Sequence, residues 1–204
     1  MLFDDSYLEV VGTAKGLYKD KGSKFIAYAF AVKTEEDVKQ HLSEIKKLEY
    51  AARHHCYAYI LHPDKSAQRD NDDGEPSNTA GKPILGQILS RELTNTLVVV
   101  VRYFGGVKLG VSGLITAYRN AASDALENIS VEKRFVKDVY SLHFKYSEMN
   151  DVMRLVKEHS LEIIHQDFEL ECSLSFFVKK SQSEKIQSIF ALYHLLTLKY
   201  LKTI

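Results

Sequence analysis

The chain has 204 residues, 45% of them apolar and 26% charged, with Lys plus Arg and Asp plus Glu at 27 each. That length holds one large or two small domains at ~100–200 residues each, enough to bury a core without disulfide or metal staples. Zero net charge excludes a surface that is basic throughout, as general polyanion binders have, and the apolar content excludes a disordered chain. A local basic patch remains open. The opening MLFDDSYLEVVG has no basic n-region and no apolar h-region, so no signal peptide is expected. The longest strongly apolar run, Leu97–Val101, falls far short of the ~20 residues of a membrane span. Cys56 and Cys172 lie far apart and neither sits in a CxxC, which reads as two free thiols in a reducing cytoplasm and no cysteine-rich zinc site.

In chain order, YLEVVGTA (7–14) and SKFIAYAFAV (23–32) read as strands, rich in β-branched and aromatic residues. Thr34 with Asp37 three residues on resembles a capping box, and Val38, Leu42, Ile45 and Leu48 recur at helical spacing, predicting a helix over 35–50. HCYAYILH (55–62) is the next strand, and a long polar loop fills 64–79. A helix is expected from Gly81 to Leu93. LVVVVRYF (97–104) lacks alternation and reads as a strand buried on both faces. GGVKLGVSG breaks it, and a long helix follows to Ile129 with Val111, Leu114, Ile115, Tyr118, Ala122, Ala125 and Leu126 on one face. From residue 133 the pattern resets to βαββαβ, the ferredoxin-like order. The expectation is an α+β chain of two domains, 1–132 and 133–204.

Three segments carry residues suited to chemistry. In DNDDGEPSNTAG (70–81), Asp70, Asp72, Asp73 and Glu75 form a cluster of hard oxygen ligands, but Arg69 and Ala80 stand where a calcium loop needs acids. Ser77, Asn78 and Thr79 precede a helix as candidate caps. In RYFGGVKLGVSG (102–113), four glycines lie between a buried strand and a helix, where free N–H groups favour an anion and Lys108 adds charge. Neither the Walker A pattern nor GxGxxG is present. Arg102, at the end of a buried strand, needs a partner or a pocket mouth. In RHHCYAY (53–59), strand periodicity puts His55, Tyr57 and Tyr59 on one face and His54, Cys56 and Ala58 on the other. A Cys–His pair there has no third group to orient it. In the last domain, Tyr140, Phe176 and Phe177 read as core or sheet-face residues, and no RRM strand signature accompanies them.

GSKFIAYAF (22–30), RHHCYAY, DDGEPSNTAGKPIL (72–85) and VVVVRYFGGVKLGVSGLITAY (98–118), taken together and in order, resemble the IMPACT/YigZ family. The resemblance covers the N-terminal domain, and the C-terminal pattern is similar to the family's bacterial accessory domain. It implies an N-terminal βαβ fold like domain IV of elongation factor G and a small-subunit ribosomal protein, with a left-handed crossover, and a ferredoxin-like C-terminal domain. It also implies a translation-associated role: eukaryotic members bind a partner of a starvation-responsive initiation-factor kinase and restrain that kinase. The family usually reads DGEPSGTAG, and Asn78 stands here at the glycine; Asn is the residue that best tolerates left-handed angles after glycine.

The reading that follows is a cytoplasmic binding protein that contacts RNA, the ribosome or a translation partner through the groove between the two loops. The candidate ligand- or partner-binding residues are Arg102, Gly105, Gly106, Lys108, Gly110, Arg119, Asp73, Glu75, Ser77, Thr79, His54 and His55. No catalytic residue, metal ligand or cofactor is assigned, and no membrane contact is expected. Two alternatives stand beside it: a metal-dependent enzyme acting on a phosphate-containing substrate, with His54 or His55 moving a proton, and a protein–protein adaptor using the same loops.

Overall fold

The computed structural model describes residues 5–169 and 171–204. The chain is α+β and divides into two compact units, Tyr7–Arg134 and Phe135–Ile204, the latter joined by Asp5 and Ser6.

The first unit is built around β7 (Thr96–Tyr103). Its apolar run has no alternation because helices cover both faces of its sheet. Val98 and Val100 enter one core with Phe25, Cys56, Ile84 and Tyr118. Leu97, Val99 and Val101 enter a second core with Tyr28, Val38 and Tyr59. β3 (Ser23–Ala31) and β4 (His54–Leu61) flank β7, each antiparallel to it. β2 (Thr13–Asp20) and β5 (Ala67–Asn71) complete the order β2-β3-β7-β4-β5. α1 (Glu35–Leu48) packs on the Val99 face, and α2 (Gly81–Ser90) and α3 (Gly110–Glu127) pack on the Val98 face. The expected capping box opens α1. Thr34 Oγ1 accepts from the Asp37 N–H at 3.1 Å, and Asp37 Oδ2 accepts from the Lys33 and Thr34 N–H groups at 2.9 and 3.0 Å.

Several elements differ from the sequence reading, each for a local reason. YLEVVGTA is two strands: Gly12, at φ +78°, turns the chain between β1 (Ser6–Val11) and β2. β1 belongs to a separate three-stranded sheet, order β6-β1-β8, with β6 (Leu93–Thr94) and β8 (Ser130–Phe135). β6 is too short to show a period, and β8 is exposed along nearly its whole length, so neither carries an apolar signal. The loop 64–79 contains β5, an edge strand whose sequence, AQRDN, is polar as exposed edges usually are. α2 ends at Ser90, because Glu92 at φ +56° leaves the helix to enter β6.

The second unit has β9 (Lys137–Phe144), α4 (Met149–Glu158), β10 (Glu162–Phe168), β11 (Cys172–Lys179), α5 (Ser183–Ala191) and β12 (Thr197–Thr203). The antiparallel order β10-β11-β9-β12 is the ferredoxin-like arrangement expected from the sequence. Tyr140 and Phe176 are core, with Leu142, Leu155 and Phe190, while Phe177 alternates to the other face of the sheet. No helix among the described residues is long and apolar enough to cross a membrane.

Candidate anion-binding cavity

The acidic loop commits its charges to partners within the fold. Asp72 Oδ1 accepts from the Ala80 and Gly81 N–H groups at 3.0 and 2.8 Å, and its Oδ2 accepts from the Asn78 N–H at 2.8 Å. The carboxylate therefore caps α2 from eight residues upstream, where Ala80, the N-cap residue, has no side chain to do so. This corrects the expectation that Ser77, Asn78 or Thr79 caps the helix. Ser77 is exposed, and buried Thr79 donates its hydroxyl to the Pro76 carbonyl at 2.6 Å. Asp73 Oδ2 accepts from the His55 N–H at 2.7 Å, and Asp70 pairs with Lys82 at 2.8 Å. Asn78 sits at φ +62°, the left-handed conformation a glycine would adopt there. Among the described residues, no three His, Cys, Asp or Glu side chains are grouped to hold a metal ion.

Glu75 points the other way, into the protein. One oxygen, Oε1, accepts from Arg102 Nη1 at 2.6 Å and from the Tyr118 hydroxyl at 2.8 Å. The two charged side chains are buried, Arg102 at 9% exposure and Glu75 at 4%. Arg102 lies on the Val98 face at the end of β7, with its guanidinium carbon 5.6 Å from the ring centres of both Phe25 and Phe104. Its Nε is buried and has no hydrogen-bond partner among the described residues. Burial pushes the Tyr118 hydroxyl well above the ordinary tyrosine range, with Cys56 and Glu75 adding to the shift, so it stays a donor at any physiological pH.

Cys56 completes this buried row. Its Sγ lies 2.9 Å from the Asp72 carbonyl and 3.4 Å from the Tyr118 hydroxyl. Burial raises its thiol far above the usual value, which keeps it neutral and unreactive. His55 occupies the opposite face of β4, with Nε2 3.2 Å from the Glu49 carbonyl. The two side chains therefore form no Cys–His pair. The face assignment within RHHCYAY follows the strand period: Tyr57 and Tyr59 join the Val99 core, and Cys56 and Ala58 the Val98 core.

The glycine-rich turn is organised differently. Gly105 is required for packing: a Cβ there would come within 1.9 Å of the Gly22 carbonyl carbon. Its N–H donates to Ser23 Oγ at 3.1 Å. Gly106 and Gly110 have φ +89° and +76°, so they supply the turn that only glycine makes without strain. α3 begins with no side-chain cap and no acidic residue in its first turn. Its first N–H groups are left for solvent or an anion.

These parts surround a cavity of about 920 Å³. Arg53, His54, Glu75, Arg102, Phe104 and Lys108 line it, together with Gly110, Val111 and Leu114 of α3. His54 enters from β4, with Nδ1 2.8 Å from the Asp73 carbonyl, which makes that nitrogen the donor and leaves Nε2 free. Arg53 and Lys108 are exposed, and neither forms an ion pair among the described residues.

Of the twelve candidate residues, the cavity gathers Arg102, Lys108, Gly110, Glu75 and His54. Gly105 and Gly106 shape the turn leading to it. His55, Asp73 and Thr79 are committed elsewhere, as described above. Arg119 lines a different depression with Asn78, Lys82 and Gln87. Arg53 and Phe104 are among the cavity residues absent from the candidate set. Both adjoin candidates in sequence, but only folding shows that Phe104 is 59% exposed rather than core.

The Impact N-terminal domain family model matches residues 21–126, which include every residue lining the cavity. Among curated relatives, the IMPACT family member YvyE of Bacillus subtilis is 37% identical over 73% of this chain and 70% of its own. An IMPACT family member of Haemophilus influenzae is 35% identical over 82% of each chain. The crystal structure of a hypothetical protein is 27% identical, with a TM-score of 0.69 over 97% of this chain and 98% of that one. The chain belongs to the IMPACT family.

Proposed function

We propose that this protein is a translation-associated binding protein that holds the phosphate groups of RNA in the Arg53–Lys108 cavity. The observation that carries the reading is the convergence of exposed Arg53 and Lys108 and the uncapped start of α3 on one concavity. The Arg102–Glu75 pair below is internally neutralised, so Glu75 adds little repulsion to an incoming anion. Membership of the IMPACT family supports the translation setting. The enzyme alternative loses its main support, because the acidic loop directs its carboxylates to backbone donors, Lys82 and Arg102.

The test is co-sedimentation with ribosomes at two salt concentrations, comparing the wild type with Arg53→Ala/Lys108→Ala. Both residues are exposed, so the variant retains its fold. Association that weakens with salt and is lost in the double variant is the expected result. Association that ignores both salt and the substitutions would overturn the reading and favour a protein partner docking elsewhere.

A further inference from the structure

Building on the RNA-phosphate reading above, we infer that the cavity takes an unpaired nucleotide, with its phosphate at the start of α3 and its base stacked on Phe104. Three observations converge. First, the site is a concavity of about 920 Å³, a size that suits small ligands of ~300–1,000 Å³. A duplex keeps its bases stacked inside, so no base is free to enter such a space. Second, Arg102 is 8% exposed, lines the cavity, and has an Nε with no hydrogen-bond partner. A buried guanidinium N–H left unsatisfied is costly unless a ligand acceptor meets it. Beside Arg102, the exposed Lys108 and the uncapped N–H groups of Gly110 and Val111 line the same cavity and form a donor set for phosphate oxygens. Third, Phe104 lines the same cavity and keeps 59% of its surface exposed. The Arg102 guanidinium lies 5.6 Å from its ring centre. A large exposed ring in a cavity with open cations, here Arg53 and Lys108, is the pairing with which proteins hold single strands without reading their sequence.

Val111, 59% exposed, lines the same cavity and extends its apolar surface. A base desolvated there keeps its edges open to water, so selectivity for the unpaired state exceeds selectivity for any one base.

Fluorescence anisotropy with a labelled single-stranded RNA and a duplex of equal length tests the inference on wild type, Phe104→Ala and Phe104→Tyr. The expected result is preference for the single strand, a ~5- to 100-fold loss in Phe104→Ala, and retention in Phe104→Tyr, which keeps the ring. Unchanged unfolding midpoints establish that the variants are folded. Equal affinity for the two RNAs, or unchanged single-strand affinity in Phe104→Ala, would overturn the inference while leaving the phosphate site standing. Failure of the wild type to bind either RNA would instead overturn the RNA-phosphate reading, and this inference with it.

Discussion

The acidic loop and the glycine-rich turn look equally site-like in the sequence, and the structure gives them opposite uses. The loop's carboxylates are turned inward. Asp72 caps α2, Asp73 holds the β4 backbone, and Glu75 neutralises a buried arginine. The turn leaves its groups open: Lys108 is exposed and α3 is uncapped. Density of charge is therefore a poor guide to a binding site. What marks the site is donors that the fold does not consume.

The comparison predicts that changes on the loop side cost stability, whereas changes on the turn side cost binding. The largest effect falls where the two meet. Arg102→Ala strands the Glu75 carboxylate in the interior and should destabilise by ~3–5 kcal/mol in urea unfolding. A loss below ~1 kcal/mol would mean that the pair is not an anchor. Asp72→Ala removes one acceptor from three backbone donors. We expect a loss of ~1.5–3 kcal/mol, read as a lower urea midpoint.

Away from both segments, Thr34→Ala removes the α1 cap and should cost about 1 kcal/mol. That cap also sets a pH dependence. The Lys33 and Thr34 N–H groups hold the Asp37 carboxyl below its ordinary value. Its contribution is thus complete above the unfolded carboxylate pKa and is lost as pH falls through the lower folded value. Asp37→Asn should flatten the acid limb of the stability profile relative to wild type. At the small end, Lys108→Ala should leave stability within ~0.5 kcal/mol while weakening RNA binding. A large stability change there would erase the contrast between loop and turn.

Much of this architecture is legible in the residues because it rests on periodicity. The buried β7, the capping box of α1, the βαββαβ order and the two faces of RHHCYAY all follow from apolar spacing or from local hydrogen bonding. β5, β6 and β8 are not legible. Their stability comes from pairing with distant strands, and AQRDN and SVEKRF show only exposed polar faces. The candidate site is half legible. Glycines followed by Lys108 mark a helix start that suits an anion, but the commitment of Asp72 to α2 depends on a turn closed by Gly74 and Asn78 at positive φ. The placement of His55 and Arg119 outside the cavity depends on tertiary geometry that composition does not encode.

The most direct test of the central claim is the salt dependence of single-stranded RNA affinity for the wild type and for Arg53→Ala/Lys108→Ala. Each phosphate contact on a single strand contributes about 0.7 to the slope of log K against log salt. The account predicts that the double variant remains folded and has a slope shallower by roughly 1.4. Equal slopes for the two proteins would contradict it, since the open cations of the cavity would then not be where RNA phosphate binds.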